Sequence, residues 1–301
     1  MTKIFSREFL RRVASPHYYH GRSTFKLAFH NFLQLIAYFK TPKPGKVTLK
    51  STSSLREAKA GKVALVLGSG PSLDALNIDV LEDHIDDVFV INAFNQLKVA
   101  DRVKPAFYGL SDPAHFVAQA GAQALELIET LSYIKSVGAT LVLPHTAYSS
   151  QAFADISKIY FDDRERIFLN NNLSPLKPRS YGSTTVYKML AMAEFMGYEK
   201  IYILGFDNSN FLNYRGRPDN LMQDLGGATA DRKFEKKSSF IGEYEKEFTS
   251  GMAGRMQSYA HLFGDLHKFN SGKILNLDPY SLTDAFPKVV NHPLIISETV
   301  R

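Results

Sequence analysis

Apolar runs alternate along this chain with longer stretches whose apolar residues recur at helical spacing. "KVALVLG" (62–68) is a continuous apolar run closed by a glycine and reads as a buried strand. "DDVFVINAF" (86–94), "KPAFYGLSD" (104–112), "ATLVLPH" (139–145), "KIYILGFD" (200–207) and "KILNLDP" (273–279) repeat that pattern, and "RIFLNNN" (166–172) predicts a shorter strand. Between them, "AGAQALELIETLSYIKSVG" (120–138), "GSTTVYKMLAMAEFMGY" (182–198) and "GRMQSYAHLFGDLHKF" (254–269) predict helices, and "PSLDALNIDVLEDH" (71–84) a turn with a short helix. Alternating strands and helices, with strands apolar on both faces, predict an α/β fold. Its core would be one Rossmann-like, mostly parallel sheet with helices on both faces, binding ligands beyond the strands' C-terminal ends.

The first 60 residues break the alternation. In "TFKLAFHNFLQLIAYFK" (24–40), Phe25, Ala28, Phe29, Phe32, Leu33, Ile36 and Phe39 follow helical spacing, and "TPKPGKVTLKSTSSLREAKAGK" (41–62) has the composition of a linker. The predicted division is an N-terminal helical segment with linker over 1–60 and a ligand-binding domain over 61–301, with a polar lid over about 208–253.

Charge sharpens this division. The whole chain carries +6, but residues 1–50 hold ten Lys or Arg against the single acid Glu8, and the rest holds 26 basic against 29 acidic side chains. A basic segment with an aromatic-rich apolar face suits an anionic membrane surface, each cation there being worth about 1 kcal/mol. Packing of that face on the core is the other reading. A nucleic-acid partner is not expected, since no known binding module accompanies the basic residues. With 301 residues and 45% hydrophobic content the chain can bury a full core. It has no cysteine, which removes disulfides and thiolate chemistry, and no run of 18 apolar residues. A cytoplasmic protein, held peripherally at the inner face of the plasma membrane, is the expectation.

Two stretches carry candidate chemistry. In "VLGSGPSLDAL" (66–76), Gly68-Ser69-Gly70 ends a strand without a bulky side chain, and Ser72 follows at the start of the next element. Such a turn admits a phosphate or sugar to the backbone, or is simply a tight strand-to-helix connection; it matches neither the dinucleotide fingerprint nor the P-loop. In "RSYGSTTVYK" (179–188), Ser183, Thr184 and Thr185 open a helix whose positive end suits a phosphate, or cap it in the ordinary way. Asp207 ends the strand that follows. Asp112, in the "SDP" turn, binds a ligand or caps a helix, and His145 stands at another strand end.

Taken in order, "VALVLGSGPSLDAL", "DVFVINAF", "PAFYGLSDP", "GSTTVYKMLAMAEFMGYEKIYILGFD" and "ILNLDPYSLTDAF" resemble the core blocks of the bacterial sialyltransferases of glycosyltransferase family 42. They also resemble the related flagellin-modifying transferases with a G-x-G-P-S-L turn. The resemblance covers roughly residues 61–290. It implies a metal-independent transfer of an acidic sugar from its CMP ester to a glycan hydroxyl, with no cofactor. By position, Gly68, Ser69, Gly70 and Ser72 would line the nucleotide, Asn92 would contact the donor, and Ser183, Thr184 and Thr185 would fall on the donor-touching Thr-Ser pair. Tyr214 would match the second of two tyrosines that hold the leaving phosphate.

Three departures stand out. Ser69 replaces the family's asparagine, Ser209 its first tyrosine, and Glu243, after "FIG", its catalytic histidine. A carboxylate can take the acceptor's proton if its pKa suits, so Glu243 is the candidate base, or else a solvated charge in "EYEKE". His261, on a predicted helix beside Leu262 and Phe263, is the alternative. Arg215, with Arg217 in the lid, is a candidate for a donor phosphate or carboxylate. No metal is expected: there is no His-Glu helix motif or D-x-D pair, and Asp162-Asp163 before "RERIF" reads as a turn. The expected partners are a nucleotide-sugar donor and a glycan or lipid-linked glycan acceptor. The alternatives are an ATP-dependent pyrophosphokinase-like transfer on the same nucleotide site and a non-catalytic nucleotide-sugar-binding scaffold.

Overall fold

The computed structural model describes residues 48–50, 52–111, 122–163, 173–177, 185–206, 272–281 and 285–296, with Phe32, Ile36, Phe39, Lys40, Phe269 and Thr283. Seven parallel strands form one sheet among these residues: β1 (Val63–Leu67), β2 (Asp87–Ile91), β3 (Phe107–Gly109), β4 (Thr140–Pro144), β5 (Lys158–Phe161), β6 (Lys200–Leu204) and β7 (Ile274–Asn276). Their spatial order is β5-β4-β3-β2-β1-β6-β7. The α/β, Rossmann-like reading of the sequence is therefore the architecture of the protein.

Strand pleating explains why these strands are apolar throughout. Leu65, Leu67, Val88, Val90, Tyr108, Leu141 and Leu143 point to one face, where α1 (Ala122–Val137) contributes Ile134. Ala64, Val66, Phe89, Ile91, Phe107 and Val142 point to the other, where α2 (Thr185–Met196) contributes Val186, Met189, Leu190 and Ala193. Helices on opposite faces leave neither face to water, so the two-residue alternation seen in half-exposed sheets is missing.

The side on which successive strands are added reverses once within the sheet. From β1 the strands proceed outward through β2, β3, β4 and β5, whereas β6 returns to pair with the other side of β1 along Val63↔Lys200 to Leu67↔Leu204. The C-terminal ends of β1 and β6 are thus the topological switch point, the place where open parallel sheets form a crevice.

Over 71–84 the expected turn with a short helix consists of two 3-10 turns (Pro71–Ala75, Ile78–Val80) and a single helical turn, Leu81–His84. Local details depart from the sequence reading in two places. β5, "KIYF", was not expected; four residues are too short for periodicity to show, and the register Leu141↔Lys158 to Pro144↔Phe161 is what reveals it. The strand expected at 166–172 and the helix expected at 254–269 lie outside the described residues, except for Phe269. Finally, part of the predicted linker is packed: Leu49 and Thr52 are buried, Thr52 Oγ1 accepts from the Tyr160 amide, and the Glu57 and Lys59 amides donate to the Phe195 and Met196 carbonyls at the end of α2.

Candidate functional site

The G-S-G turn sits at the switch point. Gly68 N–H donates to the Leu204 carbonyl at 2.8 Å, Gly70 N–H to the Gly205 carbonyl at 2.9 Å, and Gly205 N–H to Ser72 Oγ at 3.0 Å. A Cβ on Gly68 would lie 2.0 Å from the Gly205 carbonyl oxygen, so glycine is required there by the approach of the neighbouring strand end. Gly205 itself takes φ +72°, the left-handed region that glycine enters without strain. Two amides of the turn are thus spent on β6, and Ser72 Oγ serves as an acceptor for Gly205. Ser69, half-buried, sits between the two committed glycines.

A second cluster forms one strand away, and it is built from three separate segments. Asn92 follows the last residue of β2 with φ +50°, a conformation asparagine tolerates better than most residues. Its amide donates to the Gly109 carbonyl, and its own carbonyl accepts the Tyr108 phenol, so the backbone is pinned from β3 on both sides. Its side-chain Oδ1 accepts the Thr185 hydroxyl at 3.0 Å. Thr185, 5% exposed, begins α2, and Ser111 Oγ lies 2.6 Å from Thr185 Oγ1. A hydroxyl has one proton. Because Thr185 gives its own to Asn92, Ser111 must donate to Thr185, which orders the chain Ser111 to Thr185 to Asn92.

That chain has a chemical consequence. With Oδ1 occupied, the Asn92 side chain keeps its Nδ2 amide, two N–H donors for which no partner exists among the described residues. The residue is half-buried at the C-terminal edge of the sheet, beside the start of a twelve-residue helix. Neutral donors and the positive end of a helix dipole favour an anionic or oxygen-rich ligand.

Beyond the switch point the edge is closed from the other side. The Phe206 carbonyl accepts from Ser281 Oγ at 2.9 Å and from Thr283 Oγ1 at 3.1 Å, both hydroxyls buried, so the residues after β7 hold the exit of β6. That exit leads to Asp207, which lies outside the described residues, as do Asp112, Ser183, Thr184, Tyr214, Arg215, Glu243 and His261.

Of the residues singled out from sequence, the structure brings Asn92 and Thr185 into contact, and groups Gly68, Gly70 and Ser72 with β6. It adds Ser111 and Tyr108, which the sequence reading passed over in favour of Asp112. The only available signal was their place at the end of a predicted strand.

His145, buried, begins the 3-10 turn after β4, and faces Asp162 and Asp163 from the end of β5. Burial alone would raise the Asp163 carboxyl, but the adjoining His145 ring and the Thr146 hydroxyl outweigh it and hold the group below its ordinary range. This group follows β4 and β5, the strands next beyond the β3 end that carries Ser111.

No protein-family model matches the chain. No curated protein matches it either. Among solved structures that match is a MAf glycosyltransferase from Magnetospirillum magneticum AMB-1, at a TM-score of 0.34 and 17% identity over 55% of this chain and 27% of that one.

Proposed function

We propose that the protein is a glycosyltransferase that takes an acidic sugar, sialic acid or another nonulosonate or ulosonate, from a CMP-linked donor and passes it to a surface-glycan acceptor. The observation that carries this reading is the convergence of Asn92, Ser111 and Thr185 beside the switch point of a parallel sheet. The ordered sequence blocks that resemble family 42 supply the choice of donor.

In this reading the Nδ2 amide of Asn92 donates to the donor's nucleotide or sugar oxygens, and the start of α2, with Ser183 and Thr184 just before it, faces the phosphate. Glu243 takes the proton of the acceptor hydroxyl as that oxygen bonds to the anomeric carbon. The bond from that carbon to the phosphate oxygen breaks, and CMP leaves with the electron pair. Tyr214 and Arg215 are the groups offered to the leaving phosphate. Residues 1–50, with their excess of nine positive charges and with Phe32 and Phe39 exposed at 57% and 66%, would hold the enzyme at an anionic membrane surface.

The test is a thermal-shift screen of the full chain against CMP, UDP, GDP and ATP, each with and without magnesium. CMP at 100 times its Kd stabilises by about 2.7 kcal/mol, and the expected response is to CMP without metal. A response to ATP with magnesium and none to CMP overturns the reading in favour of pyrophosphoryl transfer. With a CMP-sugar as substrate, Glu243→Ala should lose on the order of 10²-fold in rate, and unchanged activity would remove Glu243 as the base. Liposome flotation of the chain with and without residues 1–50 tests attachment, and equal flotation would remove it.

A further inference from the structure

The sequence reading takes Asp162-Asp163 for a turn and gives His145 no partner. Register changes that: Pro144 pairs with Phe161 at the last rung of β4 and β5, so the residues that follow, His145 and Asp162, leave the sheet side by side. Their side chains are 6% and 0% exposed, and that of Asp163 is 23% exposed. One nitrogen or oxygen from each of the three residues can be chosen so that all lie within 4.8 Å of one another.

Within the cluster, His145 and Asp163 stand at ion-pair distance, but the ring N–H is not aligned with the carboxylate. His145 Nδ1 stands 2.5 Å from Asp163 Oδ1 and 3.8 Å from Asp162 Oδ1, yet neither Nδ1 nor Asp163 Oδ1 has a hydrogen-bond partner. A proton shared between two such atoms would lie on the line joining them, and the ring N–H does not point along it. A cation set off that line accepts lone pairs from both, and from Asp162 as well. Thr146 Oγ1 donates to Asp163 Oδ2 at 2.8 Å, which turns the other oxygen, Oδ1, toward the ring. Such a hydroxyl is what fixes a ligating carboxylate from behind.

We propose that His145, Asp162 and Asp163 form a divalent-cation site that clips the ends of β4 and β5. One imidazole with two carboxylates is too nitrogen-rich for calcium or magnesium and too oxygen-rich for a soft ion, and it suits a first-row ion of the Mn²⁺ type. Six-coordinate bonds of about 2.1 Å place neighbouring ligand atoms roughly 3 Å apart, so Nδ1 and Asp163 Oδ1 need separate by only about 0.5 Å. β4 pairs with β3, whose end carries Ser111, so this site stands one strand, about 4.8 Å, beyond the nearest segment of the Asn92 cluster, and the role proposed for it is to clip β4 to β5. The proposal stands whether or not the glycosyltransferase reading does.

The experiment uses the full chain, stripped with a chelator and titrated with MnCl₂ while the electron paramagnetic resonance signal of free Mn²⁺ is followed. One ion per chain should be taken up, the thermal midpoint should rise, and ZnCl₂ should compete. Asp163→Asn and His145→Gln should each weaken uptake at least tenfold. The proposal is overturned if the wild-type chain leaves the free Mn²⁺ signal intact and neither Mn²⁺ nor Zn²⁺ shifts the midpoint, or if a folded variant binds as tightly as the wild type. Should both variants fail to fold, the histidine ring ¹⁵N signals of the wild type decide: selective broadening of His145 by substoichiometric Mn²⁺ supports the site, and its absence rejects it.

Discussion

Thr185 donates its hydroxyl proton to Asn92 Oδ1 at 3.0 Å across a sequence separation of 93 residues. This bond ties the first residue of α2 to the end of β2, and through Ser111 to the end of β3, so one proton chain sets the spacing of three segments at the C-terminal edge of the sheet. Thr185→Val keeps the shape and removes the hydroxyl, leaving Asn92 Oδ1 and Ser111 Oγ short of a partner. The expected cost is about 1–3 kcal/mol, read as a lower urea midpoint, and Thr185→Ser should recover most of it. A valine variant as stable as the wild type would show that water replaces the bond freely.

Gly68→Ala places a methyl group 2.0 Å from the Gly205 carbonyl oxygen, which is backbone and cannot swing away. Overpacking of this kind costs about 1–3 kcal/mol or more, and here it should separate the ends of β1 and β6. Ser69→Ala, one residue on, should change stability by less than about 0.5 kcal/mol. Equal midpoints for the two variants in thermal unfolding would contradict the close approach.

Asp87 collects two donors at the start of β2. The buried Tyr198 phenol reaches its Oδ2 at 2.7 Å and the Lys59 ammonium reaches the same atom at 2.8 Å. Burial, and then the bond to Asp87, push the Tyr198 phenol far above its ordinary range. Asp87→Ala strands both donors and should cost about 2–4 kcal/mol, whereas Tyr198→Phe, which leaves the ion pair, should cost about 1 kcal/mol. The double variant should be less destabilised than the sum of the two, since the partners share one atom.

Alkaline stability should follow Tyr133. Its phenol donates toward the Ala100 and Val103 carbonyls, both at 3.0 Å, and burial, with the Asp101 charge, raises it from 10.0 to about 12. The unfolded chain releases this proton near pH 10 while the folded chain retains it, so the folded state binds more protons in that window. Stability from this group is therefore complete below pH 10 and declines as pH rises from about 10 to about 12. Tyr133→Phe should flatten that part of the profile in denaturant titrations at fixed pH, and an unchanged slope would assign the decline to other groups.

Much of this protein is determined by the order of its residues alone. Continuous apolar runs such as "VALVL" and "KIYIL" fit only strands covered on both faces, and the helical spacing of "TTVYKMLAMAEFM" supplies the cover, so the α/β class follows from local pattern. Asn92 and Thr185 were legible as candidates for the same reason: each follows or opens a predicted element. Pattern has no access to which strand lies beside which. Only the tertiary structure decided that β6 returns to β1, which gives Gly68 a packing requirement against Gly205. Only the pairing of β4 with a four-residue β5 set His145 beside Asp162 and Asp163, because strand register joins residues that no spacing rule connects. The physical reason is common to both cases: side-chain periodicity is a property of one segment, while a site is made where the ends of several segments meet.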